Sequence, residues 1–238
     1  MRFPGIVTAL FFISSAAFCV EEPSAMSGIP FGRAARDNPA PLEDQAVPSF
    51  FEAARIMIEE NHIVAFYGHP NSKGMGILGE FKTIDAMADE LFDYMDAYNA
   101  VNGGKGVVPA FHIIFATAHP EGEIGIIGKK TLLEYIEYAE ANGILVFIDH
   151  QIGRYPLSGA VRTMLPYLKY PNVHLAIDPE WATPVPGLEI GSVSADEINK
   201  AQEMMQKYMV DNGIPGEKML VVHQFNWKIG RASCRERV

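Results

Sequence analysis

The sequence predicts an α/β protein built on parallel strands, and three observations carry that expectation. Five short apolar runs, at residues 63–67, 107–115, 144–148, 173–177 and 219–225, are rich in Val, Ile and Phe and lack clean polar alternation, as strands buried on both faces do. Amphipathic stretches with helical spacing lie between them. The links between the two kinds of segment are short, which implies parallel strands joined by right-handed crossovers. The class expected is a (β/α)8 TIM-barrel-like fold truncated after about five βα units. The alternative is an open, doubly wound parallel sheet.

Taken in order, Phe50, Phe51, Ala54, Met57 and Ile58 recur at helical spacing, and Asn61 ends that helix ahead of the first strand. Residues 69–80 read as a mobile loop over the end of this strand, where Lys73 could meet an anionic group. Gly74-x-Gly76-x-x-Gly79 has the letters of a dinucleotide fingerprint, but the strand stops too early and the next helix starts too late. That helix, over 83–98, carries Ile84, Met87, Leu91 and Met95 on one face. Thr131 and Glu134 have the spacing of a capping box at the head of a helix over 131–141, which buries Leu132, Ile136 and Ala139. Ser194 and Glu197 repeat the device for a helix running through Tyr208, and Asn142-Gly143 and Asn212-Gly213 are the stop signals.

Composition narrows the function. In 238 residues, 48% hydrophobic and 20% charged content describes an ordinary globular chain. A net charge of −10 argues against nucleic acid, and against an anionic membrane surface, as partner. Arg2 followed by an uncharged apolar run over 6–18 is too short to span a bilayer and fits a signal-peptide core, with Ser15-Ala16-Ala17 as the cleavage site. Residues 1–19 are therefore expected to direct export to the periplasm, cell surface or medium. Cys19 stands where a lipoprotein carries its lipid, although Phe18 departs from that pattern, so membrane contact is expected only through a lipid anchor there. With Cys234 the only other cysteine, the domain offers no disulfide framework or thiol nucleophile.

Residues 20–47, with Pro23, Pro30, Pro39 and Pro41, read as a tether. The domain is expected over 48–227. The last stretch, 228–238 (Lys-Ile-Gly-Arg-Ala-Ser-Cys-Arg-Glu-Arg-Val), resembles a translated sequencing adapter and is expected to be artefactual. A complete barrel takes about 250 residues and the domain has roughly 180, which is why truncation is expected.

Ligands of both candidate folds bind at the carboxyl ends of the strands, and those ends carry polar groups. They are Tyr67-Gly68-His69-Pro70, Thr117 with His119, Asp149-His150-Gln151, Asp178-Pro179-Glu180-Trp181 and His223-Gln224-Phe225. Asp178 and Glu180 are the expected catalytic pair. A spacing of two puts both on one side of an extended segment, where they perturb each other's pKa and can keep one acid protonated near neutrality. Glu180 is then the general acid/base, Asp178 tunes it, and Trp181 offers a flat surface to a sugar ring. Tyr67, His69, Asp149, His150, Gln151, His223 and Gln224 are expected to position substrate. No cofactor is assigned. A divalent metal on some of His69, Asp149, His150, Asp178 and His223 stays open, without a His-x-His or His-x-x-x-His pair to support it. No Gly-x-Ser-x-Gly elbow occurs.

Two resemblances add to this. Asp178-x-Glu180 resembles the acidic pair that ends the fourth strand of family-18 chitinase-like barrels, without their longer acidic signature. Residues 63–227 are similar to a bacterial family of exported proteins and lipoproteins with a barrel-like α/β fold. The similar segments are Tyr67-Gly68-His69-Pro70, Phe147-Ile148-Asp149-His150-Gln151, His174-Leu175-Ala176-Ile177-Asp178-Pro179-Glu180-Trp181 and Val221-Val222-His223-Gln224-Phe225. The resemblance implies export and a barrel-like fold. The function expected is an exported, glycosidase-like hydrolase acting on a cell-envelope or environmental glycan. The alternatives are a non-catalytic carbohydrate- or envelope-binding lipoprotein and a metal-dependent hydrolase.

Overall fold

The computed structural model describes residues 58–224 and the backbone of Ile6–Phe11. The lead-in, the tail and all but the last turn of the first expected helix lie outside the described residues. The strands are β1 (Ile6–Phe11), β2 (Asn61–Gly68), β3 (Gly106–Ala118), β4 (Ile124–Ile126), β5 (Leu145–Gln151), β6 (Val173–Asp178) and β7 (Lys218–His223). The helices are α1 (Ile84–Asn99), α2 (Lys129–Ala141), α3 (Leu157–Met164) and α4 (Ala195–Asp211). Each of the five expected apolar runs contains a strand, the first residue of the third and Gln224 falling outside theirs and Phe225 lying outside the described residues. The short β4 and α3 were not expected.

The main sheet runs β2-β3-β5-β6-β7-β1, every neighbouring pair parallel, with β4 antiparallel on the end of β3. From β2 to β7 each new long strand joins on the same side of the last, so the order never reverses. Residues of all four helices, including Leu91, Ile136, Val161 and Met205, share one core with Phe111, Val146, Leu175 and Val222 from a single face of the sheet. The opposite face carries a smaller cluster of Ala110, Leu145, Phe147, Ala176, Met219 and Val221. A doubly wound sheet needs a reversal of strand order and helices on both faces. The described elements have neither, and the sheet is instead curled into a parallel half-barrel. β1 and β2 occupy opposite edges, so the described strands do not close.

β1 pairs in register with β7, Ile6 opposite Lys218 and Phe11 opposite His223. Its residues are those expected to form a signal-peptide core. An apolar run of this length suits either role, and export stays an expectation.

Local signals in the sequence act with mixed accuracy. Ser194 caps α4 as expected, accepting from the Glu197 amide at 3.2 Å while Glu197 Oε2 accepts from the Ser194 amide at 2.9 Å. Thr131 does not cap α2. The helix starts earlier, with Gly128 at the cap and no side chain on the free amides. The segment expected as a mobile loop is folded back on its own strand. The His69 amide donates to the Met75 carbonyl at 2.7 Å, the Ile77 amide donates to the Tyr67 carbonyl at 2.8 Å, and Leu78 is fully buried. Gly76 has a positive φ of 77°, and a side chain there would strike the Tyr67 carbonyl. Gly76 and Gly79 serve close backbone approach, whereas a side chain at Gly74 would meet open space. Lys73 faces Glu80 at 3.9 Å on the exposed side of the loop.

Two substitutions separate the real cap from the apparent one. Ser194→Ala should lower the unfolding free energy by about 1 kcal/mol, whereas Thr131→Ala should change it by less than about 0.5 kcal/mol. Urea denaturation of both variants measures this, and equal losses would contradict the cap assignment.

Candidate functional site

Side chains alternate between the two faces of a strand, and the parity set by the cores decides which polar residues meet. Ile63 and Val108 pack with the inner cluster, which places Tyr67 of β2 and His112 of β3 on the same concave face. Leu145 and Phe147 do the same for Asp149, Ala176 for Asp178, and Met219 and Val221 for His223. The register puts Tyr67 directly opposite His112. All five therefore gather at the carboxyl-terminal side of the half-barrel.

Their geometry is tight. His112 Nε2 lies 3.4 Å from Asp149 Oδ2, His223 Nε2 lies 3.6 Å from the same oxygen, and the two imidazole nitrogens are 3.2 Å apart. On the far side of the His223 ring, Nδ1 lies 3.7 Å from Asp178 Oδ1. Tyr67 meets both imidazoles edge-on, at centroid distances of 5.2 and 6.0 Å, and Phe147 stacks under His112 at 5.6 Å. Below them a cavity of about 280 Å³ is lined by Ile63, Ala65, Tyr67, His112, Phe147, Val221 and His223. Asp149 is fully buried, yet neither of its oxygens has a hydrogen-bond partner. His112, Asp149 and His223 thus form a buried group that could hold a metal ion.

Electrostatics follow from this crowding. Burial pushes the Asp149 carboxyl up, but His223, His112 and His150 outweigh it and hold it below the ordinary carboxylate range. Asp178 moves the other way. Burial raises it, Asp149 adds to the rise, and His223 offsets only part. Glu180, about half-buried, is raised to about 7 by burial and then by Asp178, with the Trp181 indole opposing. Burial disfavours the His223 cation, but Asp149, Asp178 and Glu180 together raise it to about 9. His112 is lowered, chiefly by burial. Tyr67 is raised by burial and the three carboxylates, so its hydroxyl keeps its proton.

The expected site residues divide. Tyr67, Asp149, Asp178 and His223 come together, with Glu180 within electrostatic reach. Glu180 is not on an extended segment beside Asp178, because Pro179–Trp181 form a 3-10 turn. Trp181, expected as a stacking platform, acts on both carboxyls through its indole. His150 points away from Asp149. Its Nδ1 lies 2.7 Å from the Gln151 carbonyl and its ring faces Phe115 across the sheet. Gln151 commits its side-chain oxygen to the Ala118 amide at 2.9 Å, tying β5 to the end of β3. His69 accepts from the Asn71 amide at 3.1 Å within its own loop. Gln224 follows β7, partly buried. The residue that sequence reasoning missed is His112. Its signal was a lone imidazole at an inward position of an apolar strand.

Comparison with family models, curated proteins and solved structures returns no match to this chain. The site is therefore read from its own geometry, and the resemblance to exported proteins stays an expectation.

The field at His223 is testable directly. In metal-free protein its imidazole should titrate near pH 9, and Asp178→Asn should move that midpoint down towards the ordinary histidine value near 6.5. NMR titration of the ring nitrogens reads it, and an unmoved midpoint would contradict the contact.

Proposed function

We propose that this chain is a hydrolase acting on a glycan, with Glu180 as its general acid. The observation that carries the reading is the Glu180 carboxyl, raised to about 7 beside Asp178 at the rim of the buried cluster. A carboxylic acid still protonated near neutrality is what cleavage of a glycosidic or similar C–O bond requires at the leaving oxygen. Glu180 donates that proton. Asp149, held ionised, and the protonated Tyr67 hydroxyl supply a negative charge and a hydrogen-bond donor within the same cleft. The expected export over residues 1–19 directs the substrate class to polymers of the cell envelope or the surroundings.

We also read the half-barrel as part of a (β/α)8 barrel. Three features support this: the unbroken strand order, the helices on one face and the inward-facing side chains at the strand ends. A second reading, metal-assisted hydrolysis in the same cleft, is favoured by the convergence of His112, Asp149 and His223. Glu180 keeps its role in that case.

The full chain, assayed against a panel of glycan substrates, tests the proposal. The rate should fall as pH rises through about 7, because the protonated carboxyl is the active form. Glu180→Gln should lower kcat by about 10²–10⁴-fold and remove that limb while substrate binding is kept. Binding of a glycan without turnover by the wild-type chain would instead support a carbohydrate-binding protein.

A further inference from the structure

We infer that His112, Asp149 and His223 bind a single divalent cation of the zinc class, with Asp178 orienting His223 from behind. The inference stands on geometry and is independent of whether the cleft acts on glycans.

The first support is the shape of the ligand triangle. The same three atoms, His112 Nε2, His223 Nε2 and Asp149 Oδ2, define all three edges, of 3.2, 3.4 and 3.6 Å. Two ligands of a tetrahedral ion with bonds of about 2.0–2.1 Å lie about 3.3–3.4 Å apart. A point at bonding distance from all three atoms therefore exists just off their plane, with little movement of any side chain. Three strands supply one ligand each, so the triangle is held by the register of the sheet.

The second support is the state of Asp149. A fully buried carboxylate without a hydrogen bond on either oxygen is costly. The imidazole nitrogens of His112 and His223 stand 3.4 and 3.6 Å from its Oδ2, ion-pair contacts too long for good hydrogen bonds. A cation between them would supply what neither ring provides. The third support is Asp178. A metal-binding histidine commonly gives its second ring N–H to a carboxylate, which fixes the tautomer and leaves the other nitrogen free to ligate. Asp178 Oδ1 at 3.7 Å from His223 Nδ1 stands in that position.

Chemistry selects the ion. Two imidazoles and one carboxylate suit zinc and similar first-row ions and are poor for calcium or magnesium, which prefer oxygen. His112 and His223 both line the cavity, and three protein ligands leave a fourth tetrahedral position for a water or a substrate oxygen. Three protein ligands with an open position describe a catalytic site better than a structural one.

The test uses the full chain stripped with a chelator and titrated with Zn²⁺, then with Co²⁺ as a visible reporter, following stoichiometry and thermal stability. One equivalent per chain should bind and raise the Tm, while Mg²⁺ and Ca²⁺ give neither effect. His112→Gln and His223→Gln should each abolish stoichiometric binding, and His150→Gln should leave it intact. Asp178→Asn should weaken binding by about 10–100-fold at unchanged stoichiometry. The inference is overturned if the wild-type chain binds neither ion, which needs no variant to fold. It is equally overturned if folded His112→Gln and His223→Gln still bind one equivalent.

Discussion

The concave face of this protein is organised around one carboxylate that its own hydrogen bonds do not satisfy. Asp149 lies towards the carboxyl end of β5, without solvent contact and without a well-formed hydrogen bond. An isolated charge so placed would cost several kcal/mol. What keeps it ionised is the approach of two imidazoles, His112 from the neighbouring strand β3 and His223 from β7, one strand beyond β6 on the other side. Asp178, between them on β6, then repels Asp149 while attracting His223. The charge state of every ionisable group in the cleft depends on this arrangement, including the raised carboxyl of Glu180 at its rim.

The arrangement exists because of the way the sheet is wound. Strands added one after another on the same side present their carboxyl ends to a common hollow, and helices on a single face leave that hollow free. Apolar residues such as Phe147 and Val221 form its floor, so the polar groups above them sit in a medium that strengthens their interactions. Buried Lys218 belongs to the other end of β7. It donates to the Tyr170 and Pro171 carbonyls at 2.6 and 3.0 Å and takes no part in the cleft.

Much of this was legible in the sequence, for physical reasons. A strand buried on both faces must be apolar throughout, so β3, β5, β6 and β7 announced themselves, as did the polar residues that end them; the edge strand β2 is apolar too, though only partly buried. β4 has only three residues and α3 only eight, too few for a periodic pattern to rise above chance. His112 escaped because β3 runs on past its neighbours. Its middle is level with the end of β2, and only the register, Tyr67 opposite His112, reveals this. His150 and Gln151 were grouped with Asp149 by adjacency in sequence. Parity turns His150 to the opposite face, and the hydrogen bond from the Ala118 amide occupies the Gln151 oxygen. Spacing placed Asp178 and Glu180 on one extended edge, but Pro179 opens a turn there instead.

The most direct measurement is a crystal structure of the full chain grown with Zn²⁺, with anomalous diffraction recorded on both sides of the zinc edge. One anomalous peak is expected within about 2.0–2.1 Å of His112 Nε2, Asp149 Oδ2 and His223 Nε2, with Asp178 against the far nitrogen of His223. A peak elsewhere, or an Asp149 carboxylate satisfied by ordinary hydrogen bonds with no ion beside it, would contradict the metal site.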